Sequence, residues 1–357
     1  MGKTITIFAA ALIGGVAYAQ EKPADNPHDM EHMQHSQMQR GSHDGFMQGG
    51  MAHALAKGVK LEALLDAAAQ TITLREGPMT LPAHTGHMKM PQPPDLMWTM
   101  AIDGWLLAYH PKLVDANGNV VPGTLLHHTA FWNVNRPDFL CPNKEEHIFG
   151  AGSELNDWMP LPGYGYRVAK GDKIRIETMM YNPTATSYDG VYLEVQIPYA
   201  VAGGEIAAKI KSVYPAWMDV KSCGDSSYDV PTGKSTKSGT VPVHYDGVLL
   251  GVGGHLHDYG KQLVLENKTR KETIATLDAK DDSLGHHAGT GVVLFLDRGG
   301  YRLAKGDLLG VSATYDNPTG KLLRWGAMGI VVGYFVPDDD RAVAALRREK
   351  KKTTGGQ

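Results

Sequence analysis

Cysteine is scarce in this chain, with two among 357 residues, Cys141 and Cys223. At most one disulfide can form, and two separate buried thiols is the alternative. Neither sign of charge is in excess: 35 Lys and Arg face 38 Asp and Glu, for a formal net charge of -3. That balance gives no sign of a nucleic-acid partner. No long apolar run follows the first 19 residues, so no later membrane span is expected. Aliphatic core formers are almost missing from residues 20–53, which excludes a packed core there.

The first 19 residues have the layout of a secretory signal. Lys3 supplies the positive start, Ile5 to Val16 the apolar run, and Ala17-Tyr18-Ala19 the small-x-small cleavage site. The run is short for a bilayer span, and a retained anchor is the alternative. Export places the protein in an oxidising space, a bacterial periplasm, where the two cysteines can pair.

Residues 20–53 carry His28, Met30, His32, Met33, His35, Met38, His43, Met47, Met51 and His53. Such a segment is expected to be disordered. Thioether and imidazole together suit copper in both oxidation states, whereas a merely polar tail has no packing use for exposed methionine. Residues 54–75, rich in Leu and Ala, predict a short helix and then a strand at Ile72 and Leu74. His84-Thr85-Gly86-His87-Met88-Lys89-Met90 leads into a proline-rich turn, and reads either as a further copper contact or as a plain loop.

With 42 glycines and 20 prolines, the chain is turn-rich and mostly β, and its length allows two domains. Gly253-Gly254-His255-Leu256-His257 sits between two strand-like stretches. Side chains at i and i+2 share one strand face, so His255 and His257 can bite one metal ion. Leu126-His127-His128 lies in a second such strand. Adjacent residues on a regular strand face opposite ways, so both can hold one metal only where the strand ends, twists or bulges. His286-His287 reads as a glycine-flanked turn.

The stretch Tyr166 to Thr184 repeats, without gaps, in Tyr301 to Thr319. Each copy has a Lys-Gly-Asp turn, an apolar strand and an Asn-Pro turn, and each follows a histidine pair. Two related β domains, each presenting a histidine cluster, are the expectation.

These residues resemble the type II copper, ascorbate-dependent monooxygenases, the group of peptidylglycine α-hydroxylating monooxygenase and dopamine β-monooxygenase. The likeness covers roughly residues 95–337 and rests on Leu126-His127-His128, on Leu161-Pro162 through Tyr166-Arg167-Val168, on Gly254-His255-Leu256-His257-Asp258-Tyr259-Gly260-Lys261, and on Met328 in the closing strand. The chain would be a divergent bacterial member. The resemblance implies an all-β fold of two tandem jelly-roll-like β-sandwich domains, at 95–202 and 203–337, followed by a basic tail at 338–357. It implies up to two copper ions in the core. One would be held by His255, His257 and Met328 and would activate dioxygen. The other, near His127 and His128, would deliver an electron from ascorbate or another reductant.

The family's third histidine at that second ion would fall near Met180-Tyr181, which makes Met180 its candidate ligand here. Peptide-amidating members hold the substrate carboxylate with an arginine where this chain has Gly253, and carry Asn and Tyr near Ile330 and Val332. The implied substrate is therefore a small or unassigned molecule rather than a peptidylglycine. A non-enzymatic copper protein for storage, delivery or resistance is the alternative function.

Overall fold

The computed structural model describes residues 54–153, 155, 157–158, 161–223, 226–281 and 287–346. The signal-like stretch, the His/Met-rich segment, His286 and the last eleven residues lie outside these.

Strands dominate, as the turn-rich composition predicts. The first half runs through β1 (Lys60–Asp66), β2 (Thr71–Leu81), β3 (Leu96–Thr99), β4 (Gly104–Leu106), β5 (His110–Val114) and β6 (Leu126–Pro137). It continues with β7 (Glu145–Gly152), β8 (Tyr164–Val168), β9 (Lys173–Met180), β10 (Tyr188–Val201) and β11 (Lys211–Ser212). The second half holds β12 (Tyr214–Asp219), β13 (Tyr228–Val230), β14 (Gly233–Pro242), β15 (Gly247–Leu256), β16 (Gly260–Asn267) and β17 (Glu272–Asp281). It closes with β18 (His287–Thr290), β19 (Val293–Leu294), β20 (Tyr301–Leu303), β21 (Leu308–Asn317), β22 (Leu323–Ala327) and β23 (Gly329–Pro337). One short helix, α1 (Asp340–Ala344), follows, capped by the Asp339 carboxylate accepting from Arg341 N–H.

The first half makes the sheets β3-β9-β6-β7 and β1-β2-β10-β4-β8-β11, with β5 also on β10. The second half makes β14-β21-β16-β17-β18 and β12-β23-β15-β19, with β20 also on β15 and β13-β22 apart. Among the described residues, strand pairing never crosses Val213. Burial alternates along β10 and β21, so one face of each sheet turns inward to form a sandwich core. Leu74, Leu126, Phe131 and Val195 fill it in the first half; Leu249, Leu263, Val311 and Phe335 fill it in the second. All described residues belong to one compact unit.

The sequence repeat is repeated in hydrogen bonds. Gly171 and Gly306 both have φ of +93°, the left-handed geometry that glycine adopts without strain. Asp172 Oδ2 accepts from Ala169 N–H and Asn133 Nδ2, while Asp307 Oδ2 accepts from Ala304 N–H and Asn267 Nδ2. Asn182 and Asn317 are both fully buried. Each accepts from the backbone and hydroxyl of the threonine two residues on, and donates to carbonyls of neighbouring segments.

The predicted helix within 54–75 is absent. Residues 60–66 are the edge strand β1, paired antiparallel with β2 from Lys60↔Gly77 to Asp66↔Thr71. A turn closed by Asp66 Oδ1, accepting from Ala68 and Ala69 N–H, joins the two. Leu and Ala favour helix only weakly, and the free edge of β2 decides the outcome.

Side-chain contacts and one covalent bond join the halves. Cys141 and Cys223 form a disulfide with Cα atoms 5.6 Å apart, as export and an even count predict. The His147 ring is stacked between Trp132 (centroids 4.1 Å apart) and Trp217 (3.5 Å), and Trp217 Nε1 donates to the His147 carbonyl at 2.7 Å. Arg136, paired with Glu146 at 3.1 Å, donates to the Val343 carbonyl, and the Ser212 hydroxyl donates to Asp340 at 3.0 Å.

Candidate metal centre

β6 enters the site with a bulge. Leu126 pairs with Met180 and His128 with Met179, so two residues of β6 advance against one of β9. The irregularity falls at His127 and turns both adjacent imidazoles to one side. Their centroids are 4.8 Å apart, tilted by 48°. The condition the adjacent pair required is thus present in the strand.

β15 ends at Leu256, so His255 is its penultimate residue and His257 follows it. Their rings lie 5.2 Å apart. Gly254 stands where a Cβ would come within 2.4 Å of a Leu263 methyl, and Gly329 where one would meet Ala313 at 2.5 Å. These glycines let strands pack closely.

The pairing His255↔Ile330 and Leu256↔Gly329, carried one step on, sets Met328 across from His257. Tyr315 pins that arrangement. Its hydroxyl accepts from His257 N–H at 2.9 Å and Met328 N–H at 3.3 Å, and donates to Met328 O at 2.5 Å. Met328 is buried. Met180 is buried in the hydrophobic core beside Leu126, whereas Met179, also buried, lies directly across from His128.

The two histidine pairs meet. The rings of His127 and His257 are 5.6 Å apart. The disulfide and the Trp217–His147 stack tie the halves together beside them. His87 stacks on His127 at 4.5 Å, and Tyr181 meets His127 edge-on at 5.4 Å. His287 begins β18, and its N–H is held by Asp258 Oδ1 at 2.8 Å.

Burial, then the neighbouring His128, His87, His257 and His255, push the His127 imidazole well below its ordinary pKa. Burial, then His257, His255, His87 and His147, do the same to His128. Both are held neutral, the form in which imidazole binds a metal.

A metal–nitrogen bond of about 2.0 Å puts the ion about 3.2 Å from the ring centroid. Two imidazoles on one ion then have centroids about 4.5 Å apart at a right angle and about 5.2 Å at the tetrahedral angle. The spacings of 4.8 and 5.2 Å within the two pairs fit. Among the described residues, no three His, Cys, Asp or Glu side chains yet point at one centre; the rings pack on one another instead. Histidine χ2 is a broad torsion, so turning the nitrogens inward costs little.

The sequence singles out His127, His128, His255, His257 and Met328, and the fold brings these into one neighbourhood. It misses Tyr315, because a hydroxyl used only by neighbouring backbone leaves no motif. No family model matches the chain, and no curated protein matches it. Among solved structures, the chain is similar to the PBCV-1 virus capsid, a quasi-atomic model, at 7% identity, covering 81% of this chain and 97% of that one with a TM-score of 0.22.

Proposed function

We propose that this is an exported copper protein with the fold of tandem jelly-roll domains. In this reading it uses copper, dioxygen and a reductant such as ascorbate to hydroxylate a small, unassigned substrate. One observation carries it: two histidine pairs, His127-His128 and His255-x-His257, far apart in the chain, lie with their rings at ligand spacing, 4.8 and 5.2 Å within each pair.

His255 and His257 would hold one ion, with the Met328 thioether favouring its reduced state. His127 and His128 would hold a second, with Met180 as the thioether the sequence reading assigns there. When bound, copper supplies one-electron cycling and a position for dioxygen. The residues of the chain hold that centre in place: Tyr315 fixes the backbone at His257 and Met328, and the β6 bulge aims His127 and His128. Gly253, where an amidating enzyme has its arginine, argues against a peptidylglycine substrate. The His/Met-rich segment would collect copper in the periplasm.

A second reading is a copper protein for storage, delivery or resistance. It is favoured by the 5.6 Å contact of His127 with His257, since an enzyme with separate electron-donor and oxygen sites would hold them apart. Oxygen uptake by copper-loaded protein with ascorbate decides between them. The enzyme reading expects catalytic uptake above that of free copper. Tight copper binding without uptake makes the carrier the function, and no copper binding removes both.

A further inference from the structure

We infer that His87 is a further ligand of this centre, joining His127 and His128 from a loop outside their strand. The inference rests on the copper reading above and goes beyond it by adding a residue. Its starting point is the ring contact: His87 and His127 have centroids 4.5 Å apart, the spacing of two imidazoles at a right angle on one ion. The rings are within 16° of parallel, so a turn about χ2 is needed to bring both nitrogens to one point.

The loop that carries His87 is built onto the site. Its start is zipped to the end of β9: Thr85 and Asn182 exchange backbone hydrogen bonds at 2.8 Å in each direction, and His84 N–H donates to Thr184 O at 2.9 Å. Its far end is held by the buried Gln92 side chain. Gln92 Nε2 donates to the carbonyls of His87 and Met180, both at 2.9 Å, and Gln92 Oε1 accepts from Met180 N–H at 2.7 Å. One amide group therefore ties the His87 backbone to the strand that pairs with His127 and His128. Asn182 in turn belongs to the buried, repeated turn after β9. Within the loop, Met90 is buried and Met88 is exposed, while the His87 ring turns toward His127. A plain surface loop has no reason to place an imidazole on a neighbouring imidazole, since both lose water there. A shared metal ion supplies one.

The test compares copper(I) affinity of four full-length chains by competition with a chromogenic chelator: parent, His87→Gly, the double variant His127→Ala/His128→Ala, and His87→Ala. The His/Met-rich segment contributes equally to all. The inference expects the His87 variants to lose roughly tenfold or more in affinity at the tight site, with the metal-free melting temperature unchanged. Free imidazole should restore binding to His87→Gly, which a role in loop structure would not give. If the parent binds more tightly than the double variant, while both His87 variants bind as the parent does, the inference fails and the copper reading stands. If the double variant binds as the parent does, the copper reading of this pair fails and takes His87 with it.

Discussion

Glu76 is a carboxylate placed where water cannot reach it. Burial raises its pKa to about 7, against the pull of the Thr178 hydroxyl that donates to Oε2, and Asp95 adds to the rise. Unfolded, the group titrates near 4.5. Between those values the folded chain keeps a proton that the unfolded chain has released. The contribution of Glu76 to stability is therefore greatest below 4.5, falls as pH rises through 7, and is level above. The span corresponds to on the order of 3 kcal/mol. Glu76→Gln keeps the shape and an acceptor for Thr178 and removes the charge. Urea unfolding at pH 8 should show the variant more stable than the parent, and at pH 4.5 the two should be close; equal stability at pH 8 would mean that the carboxylate is not desolvated. Met328→Leu is a second substitution with a one-sided expectation. Volume is kept, so the metal-free melting temperature should hold, while copper(I) affinity falls with the loss of sulfur. Unchanged copper(I) affinity removes Met328 as a ligand.

The strands explain why the site forms where it does. The β6 bulge, the end of β15 and the gap between β22 and β23 each interrupt a ladder, and Tyr315 on β21 bridges two of the three. Tyr315→Phe leaves the buried ring and removes the hydroxyl, orphaning His257 N–H and Met328 N–H; this should cost about 1–3 kcal/mol in stability. Copper affinity should fall further than the change in stability accounts for, measured by chelator competition well below the melting temperature. Equal affinity would make Tyr315 a fold residue only. Much of this was legible in the sequence. His255 and His257 read as one strand face, and the copies at 166–184 and 301–319 announced the repeated turns. Other parts were not legible for physical reasons. Asn133 and Asn267, which satisfy the repeated aspartates, come from other strands 39 and 40 residues before them, a reach too long for a local motif to mark. β1 has a helix-like composition, and only the free edge of β2 makes it a strand. Met180 and Met179 alternate faces, and which one faces His128 depends on a bulge that sequence does not locate.

Among the described residues, pairing stays within each half of the chain, yet histidines of both halves touch. Side chains rather than shared strands therefore hold the halves in register. The disulfide is the covalent part of that junction, closing a separation of 82 residues. A loop of that size implies a stabilisation of about 4–5 kcal/mol from the restricted unfolded chain. Replacing both Cys141 and Cys223 with Ser should lower the melting temperature by on the order of 10 °C. The Trp132–His147–Trp217 stack and the Arg136–Glu146 pair remain in the variant, so a folded state should persist at room temperature. The informative measurement is copper affinity in that folded variant. If His127, His128, His255 and His257 work as one neighbourhood, loosening the junction lets the two pairs drift, and binding at the tight site should weaken relative to the parent at the same temperature. If each half holds its copper independently, as in an enzyme with two separate sites, the variant should bind as the parent does while melting earlier. Loss of affinity without the bridge would thus favour a joint centre, and retention would favour two sites that merely lie close.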